Sequence, residues 1–288
     1  MHKEIPSTPP PLVCRSGAID FQKRSYLMGI INVTPDSFSD GGNYYAAPQA
    51  VAHGLALAEQ GADILDIGGE SSRPGAAPVS AAEEIARVVP VIKELAAQVT
   101  IPISIDTTKA EVARQALDAG AELVNDISAL RFDPAMAGVV AACKVPVILM
   151  HMLGTPQTMQ HAIRYDSLIA DIGAFLRERI AFAVHAGIER DKIIIDPGLG
   201  FGKSVSKDNF TIISRLGACA SLGRPILVGP SRKACIGKLL NAGAAGRDEG
   251  TAAAVAIAVY NGAHLVRVHN VGMMKMVVQV ADAIKRAG

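Results

Sequence analysis

The sequence predicts an α/β protein folded as a single-domain, closed (β/α)8 TIM barrel, and three observations carry that prediction. Eight short, β-branched apolar runs alternate with stretches of helical period. Several runs are apolar on both faces, as in Val145-Pro146-Val147-Ile148-Leu149-Met150, which suits parallel strands covered by helices. Hydrophobic residues make up 50% of the 288-residue chain, so the core is large. Mean hydropathy is +0.28. The longest apolar run, Ala252 to Val259, is nevertheless far short of the roughly 18 residues that span a bilayer. An open, doubly wound sheet has the same local pattern. Closure is inferred from eight consecutive strand–helix units with no linker between them.

Taken in order, the strands are expected at Tyr26–Asn32, Asp63–Ile67, Ile101–Asp106, Glu122–Asp126, Val145–His151, Lys192–Asp196, Pro225–Gly229 and His264–His269. Ahead of them, Met1 to Phe21 carries Pro9-Pro10-Pro11 and lacks the apolar stretch of a signal peptide. Residues 1–24 are therefore expected as an extension, poorly ordered at its start, and residues 25–288 as the barrel. Between strands, Ile85, Val88, Val89, Ile92, Leu95, Ala96 and Val99 recur at helical spacing. Leu168, Ile169, Ile172, Phe175, Leu176 and Ile180 do the same, as do Met273, Met276, Val277, Val280 and Ile284. Each stripe is expected to face the core. Gly61, Gly120, Gly187 and Gly262 each follow such a stretch, where glycine supplies the left-handed helix end before the next strand.

Composition excludes several partners. With 28 Lys+Arg against 27 Asp+Glu, the formal net charge of +1 lacks the basic excess that nucleic acid or an anionic membrane would require. Cys14, Cys143, Cys219 and Cys235 are scattered and form no CxxC pair, so they read as reduced, buried thiols in a cytoplasmic protein.

A barrel carries its active site at the carboxyl ends of its strands. Those ends lead into Asn32 and Asp36; Glu70, Ser72 and Arg73; Asp106; Asn125 with Asp126; His151; Asp196; Ser231, Arg232 and Lys233; and Arg267 with His269. Arg73, Lys233, Arg267 and His269 are donors of the kind that bind phosphate oxygens. Asp106, Asn125 and Asp196 suit the edge of a flat nitrogen heterocycle. There is no G-x-S-x-G elbow, no HExxH and no clustered His/Cys pattern, so the site is expected to work by orientation and charge stabilisation. The Gly-rich run from Asp196 to Ser204 fails as a P-loop because Pro197 occupies the first glycine position. It fails the dinucleotide fingerprint at Lys203. Two readings stay open: a loop that lets backbone approach a flat ligand, or a structural tight turn.

Eight motifs then occur in order: Asn32-Val-Thr-Pro-Asp36-Ser-Phe38-Ser-Asp40-Gly-Gly42, Gly69-Glu-Ser-Ser-Arg73-Pro-Gly75, Ile105-Asp106-Thr, Val124-Asn125-Asp126-Ile127, Leu149-Met-His-Met152, Asp196-Pro-Gly-Leu-Gly-Phe-Gly-Lys203, Ser231-Arg-Lys233 and Arg267-Val-His269. Together they resemble the bacterial dihydropteroate synthase family, from about Tyr26 to the C-terminus. The resemblance implies a cytoplasmic, homodimeric transferase of folate biosynthesis. Such an enzyme joins 6-hydroxymethyl-7,8-dihydropterin diphosphate to 4-aminobenzoate, by loss of diphosphate and attack of the amine on a pterin cation. It implies that Asp106, Asn125, Asp196 and Lys233 hold the pterin ring, with Met150 on a ring face and Gly229 leaving it space. Asn32 would contact Mg2+; Arg267 and His269 would bind the diphosphate, with Ser72 and Arg73 at the mouth. Phe38, Pro74, Phe201 and Ser231 would line the 4-aminobenzoate pocket, under two closing loops at Asp36 to Gly42 and Glu70 to Ala77. Sulfonamides would compete there. The chain departs from the family pattern at Ser72 (commonly Thr), Asn270 (usually Asp) and Pro230, which bears on the aminobenzoate pocket. A barrel that passes a folate methyl group to a corrinoid should lack both the Asp36 to Gly42 motif and the Ser231-Arg-Lys233 cluster. A non-catalytic barrel should have lost Lys233, Arg267 and His269.

Overall fold

A computed structural model describes residues 9–34 and 42–288. It opens with an antiparallel hairpin, β1 (Leu12–Cys14) and β2 (Gly17–Ile19), paired Leu12 to Ile19 and Cys14 to Gly17. Within the expected N-terminal extension, the segment from Leu12 onward is thus a hairpin, which sequence periodicity did not indicate. Alternation explains the difference: Val13 points to solvent at 62% exposure, while Leu12, Cys14, Ile19 and Phe21 are buried. They pack on Tyr26, Met28, Ile64, Leu123, Ile148, Ile194, Leu227 and Leu265, the inward residues near the starts of seven barrel strands. The hairpin thus floors the barrel. It is fastened there by the Ser16 amide, which donates to Glu122 Oε2 at 2.8 Å.

The barrel strands are β3 (Tyr26–Asn32), β4 (Ile64–Gly68), β5 (Ile103–Asp106), β6 (Leu123–Asp126), β7 (Val147–Met150), β8 (Ile193–Asp196), β9 (Leu227–Val228) and β10 (Leu265–Val268). All pair in parallel, in the order β8-β7-β6-β5-β4-β3-β10-β9. A parallel bridge between Ile195 and Ile226 brings the two edge strands together and closes the ring. The structure is therefore a barrel and not an open sheet. Each expected strand is present, with ends displaced by a few residues; β9 is the shortest, beginning two residues beyond Pro225.

Helices α1 (Gly42–Gln60), α2 (Ala81–Ala96), α3 (Ala110–Ala119), α4 (Met136–Cys143), α5 (Leu168–His185), α6 (Asp208–Ser214), α7 (Ala234–Leu240), α8 (Asp248–Tyr260) and α9 (Val271–Ala287) surround the strands. Outward strand residues such as Leu65, Ile67, Val124, Leu149, Ile195 and Val266 meet Leu57, Val88, Ile92, Leu95, Leu176 and Met274 in the main core. The glycine ends are present at Gly61, Gly120, Gly187 and Gly262, with φ of 99°, 124°, 95° and 108°.

Two expectations of burial are corrected. On α9 the buried positions are Val271, Met274, Val278, Ala281 and Asp282, while Met276, Val280 and Ile284 are 62%, 60% and 56% exposed. This helix is apolar on more than one face, and a periodic stripe does not record what covers it. Cys143 is exposed at the end of α4, whereas Cys14, Cys219 and Cys235 are buried free thiols. Among the described residues, no helix is long and apolar enough to cross a membrane.

Candidate active site

The strands that meet the floor carry chemistry two residues further on. Side chains alternate along a strand, so Ile64, Leu123, Ile148, Ile194, Leu227 and Leu265 put Asp66, Asn125, Met150, Asp196, Gly229 and Arg267 in the same inward phase. β3 reaches Asn32 and β5 reaches Asp106 in this way.

Arg267 is the hub. Its Nε donates to Asp66 Oδ2 at 2.5 Å and its Nη2 donates to Asp106 Oδ2 at 2.7 Å. Asn125 Nδ2 donates to the same Asp66 oxygen at 3.1 Å. Burial works against the guanidinium charge, but Asp66 and Asp106 outweigh it and hold Arg267 protonated. Burial likewise raises Asp106, to about 7, with the Arg267 charge opposing and the Asp66 charge adding to the shift.

On the facing wall, Asp196 Oδ1 accepts from the Gly198 amide at 2.7 Å. Burial raises Asp196 to about 6, against that bond and the charges of Lys233, Lys203 and Arg267. Lys233 is pushed down to about 8 by burial. Its Nζ stands 4.4 Å from the centre of the Phe201 ring. Phe201 belongs to an apolar cluster with Ile127, Met150, Met152 and Met159. Carboxylates, cations and an apolar wall therefore share one mouth, a chemistry suited to a flat, polar-edged ring.

At the rim, Ser231 Oγ lies 2.8 Å from His269 Nδ1 and accepts from the His269 amide at 3.2 Å. Burial, with Arg267 nearby, lowers His269 to about 3, so the ring is neutral. It can donate one hydrogen bond but brings no charge at neutral pH. Ser72 is half-buried, and Arg73 and Pro74 are exposed. Their loop is tied at its base, where Glu70 accepts from the Val79 amide at 3.1 Å and from Lys109. Lys109 also bonds the buried Glu84 at 2.6 Å. Phe38 and Asp36 lie outside the described residues.

Two strand-tip residues turn away from the mouth. Asp126 accepts from the Ser128 and Leu130 amides at 2.7 and 2.9 Å, which shapes its own loop. His151 is bonded through Nδ1 to Lys203 Nζ at 2.7 Å. Lys203, with none of its surface exposed, also donates to the His151 carbonyl at 3.0 Å. The Gly-rich loop is thus stitched to the end of β7. A side chain at Gly198 would strike the His151 carbonyl, and Gly198, Gly200 and Gly202 all have positive φ. The loop is a tight turn, and the turn is what seats Asp196 and Phe201.

Asp66 and Lys203 have no assigned role from sequence reasoning. The available signal was an Asp inside Ile64-Leu65-Asp66-Ile67, a charge where strands bury both faces.

The donor set bears on metal binding. Among the described residues, no three His, Cys, Asp or Glu converge as metal ligands. Asn32, half-buried at the end of β3, offers one neutral amide oxygen. That suits Mg2+ arriving with phosphate oxygens, because this ion keeps several waters and takes few protein ligands.

Known proteins resemble this chain along nearly its whole length. Residues 28–269 match the family described as pterin binding enzyme. A dihydropteroate synthase of Synechocystis sp. is 48% identical over 279 residues, covering 96% of each chain. A Xanthomonas albilineans dihydropteroate synthase, solved with 4-aminobenzoic acid, superposes with a TM-score of 0.90 at 47% identity, covering 96% of this chain and 99% of that one. The Yersinia pestis dihydropteroate synthase, solved with a sulfonamide drug, gives 0.91 at 42% identity and covers 96% and 100%. The chain belongs to the pterin-binding enzyme family, among its dihydropteroate synthases.

Proposed function

We propose that the mouth described above condenses 6-hydroxymethyl-7,8-dihydropterin diphosphate with 4-aminobenzoate to 7,8-dihydropteroate and diphosphate. The observation that carries this reading is the meeting of Asp106, Asn125 and Arg267 on one wall with Asp196, Lys233, Met150 and Phe201 on the other. In this reading Asp106, Asn125 and Asp196 accept from the ring's N–H groups and Lys233 donates to its carbonyl. Met150 packs on a face and Gly229 leaves room for the ring. Asn32, Ser72, Arg73, Arg267 and His269 face the diphosphate, and Phe38, Pro74, Phe201 and Ser231 the aminobenzoate.

The carbon–oxygen bond to diphosphate breaks with its electron pair leaving on oxygen. The amine then forms the new carbon–nitrogen bond and releases a proton. Ionised Asp106 and Asp196 stabilise positive charge developing on the ring. Arg267 and His269 donate toward the departing oxygens, Arg267 as a cation and His269 as a neutral ring. No base of high pKa is required, since an aromatic amine is already uncharged at neutral pH. Asn32 would hold Mg2+, which when bound neutralises phosphate charge.

The test is diphosphate release from the pterin substrate with and without 4-aminobenzoate. Formation of 7,8-dihydropteroate is expected to accompany release when the amine is present, to be inhibited by sulfonamides in competition with it, and to be lost on chelation and restored by Mg2+. Release in the presence of the amine without formation of 7,8-dihydropteroate would overturn the reading, and full activity without metal would remove the role of Asn32.

The same reading takes the chain as a cytoplasmic homodimer. Unpaired cysteines fit a reducing compartment. Ile257 and Tyr260 on α8, with Met276, Val280 and Ile284 on α9, are each more than half exposed. Such a patch fits a second copy of the chain. Val280→Asp should convert a sedimenting dimer to monomer; an unchanged sedimentation coefficient would move the interface elsewhere.

A further inference from the structure

Asp66 has none of its surface exposed and sits on β4, with Ile30 of β3 and Ser104 of β5 in register on either side. Its Oδ2 takes hydrogen bonds from both Arg267 and Asn125. Its Oδ1 is buried without a hydrogen-bond partner among the described residues. A buried carboxylate is costly to keep, and exchanging a buried ion pair for apolar packing is often neutral or stabilising. Fold stability alone therefore gives weak reason for a carboxylate here.

Its geometric effect is specific. A carboxylate only accepts, so the NH2 of Asn125 must face Asp66 and its amide oxygen must face away. Arg267 is fixed in the same way, its Nε on Asp66 and its Nη2 on Asp106. One carboxylate below the mouth thus sets the orientation of two groups directly and of a third through Arg267. We propose that Asp66 is a positioning residue of the pterin site, presenting the Asn125 oxygen to the ring and pinning Arg267 against Asp106. This rests on the proposed function, because it takes Asn125 and Asp106 as groups that meet the pterin ring and Arg267 as one that meets its diphosphate.

The experiment is Asp66→Asn in the full chain, with wild-type turnover as the control for the functional reading itself. KM for the pterin diphosphate should rise by about tenfold or more, the scale of one hydrogen bond to a charged group. KM for 4-aminobenzoate should stay within about twofold, since the residue does not touch that pocket. A second readout separates positioning from general loosening. Asp106 is faced by Arg267 from β10, Asp66 from β4, Glu84 from α2 and Asp126 from β6. Removing the Asp66 charge should move the acid limb of kcat/KM to lower pH. Wild-type constants with an unmoved limb, or equal rises in both KM values, would overturn the proposal. Should the variant fail to fold, the wild-type enzyme decides by proton exchange at the Arg267 Nε–H. That proton should stay protected with pterin diphosphate bound in the absence of 4-aminobenzoate. Loss of protection on binding would mean that Arg267 leaves Asp66 for the ligand, which also overturns the proposal.

Discussion

The two ends of the same eight strands are built on opposite terms. At the floor, Leu12, Ile19 and Phe21 close over Met28, Ile64, Leu123, Ile148, Ile194, Leu227 and Leu265, an apolar plug. Two residues along, inward positions hold Asp66, Asn125, Asp196 and Arg267, with Asp106 beside them, and burial drives Asp106 and Asp196 well above the ordinary carboxylate range. The lower layer is optimised for burial, and the upper layer spends part of that stability on fixed charges. Fold and function therefore separate along the strand axis, as is usual for this architecture.

The sharpest way to break the comparison is Asp196→Asn. Turnover should fall by about three orders of magnitude, the scale of losing a charge aimed at the transition state. The same change should stabilise the fold. In the folded chain Asp196 titrates near 6 against an ordinary 3.8, so the folded state holds its proton to higher pH than the unfolded chain. Stability from this group is greatest below the unfolded value and falls as pH rises through about 6. At pH 8 the substitution should therefore recover about 1–3 kcal/mol, read as a higher Tm. A lower Tm would show that Asp196 is held by favourable contacts and not carried at a cost.

Leu12→Ala is the converse. Leu12 is completely buried in the floor, so its truncation should cost about 2–5 kcal/mol while leaving KM for both substrates unchanged. A change in KM without loss of stability would tie the two layers together. The smallest effect concerns pH. The kcat/KM for pterin diphosphate should fall below about 7 to 6 as Asp106 and then Asp196 protonate, and above about 8 as Lys233 loses its proton. A flat profile between pH 5 and 9, after correction for substrate ionisation, would remove these groups from binding.

Much of this was legible in the sequence. Period change located the strands, and the glycines at 61, 120, 187 and 262 marked the helix ends, because only glycine adopts those dihedrals freely. The strand tips yielded Asp106, Asn125, Asp196, Lys233 and Arg267. Three features stayed hidden for physical reasons. The hairpin is two three-residue strands behind a proline run, too short to show a period, and it gains its stability from the barrel floor. The outer face of α9 looks like core because an apolar stripe is the same whether it meets a sheet or a partner. Asp66 and Lys203 act through other side chains, Asp66 through Arg267 and Asn125 and Lys203 through His151, and such pairings form only in the folded chain.

The central claim is that the upper layer binds the pterin substrate and the floor only supports it. Ligand-induced thermal stabilisation measures this directly, since a ligand that binds only the folded chain raises Tm with its concentration. Pterin diphosphate without 4-aminobenzoate should raise Tm of the wild-type chain, and by a similar amount in Leu12→Ala from its lower starting point. In Asp196→Asn the increment should vanish although the starting Tm is higher. A full increment in Asp196→Asn, or its loss in Leu12→Ala, would contradict the division of labour between the two ends of the barrel.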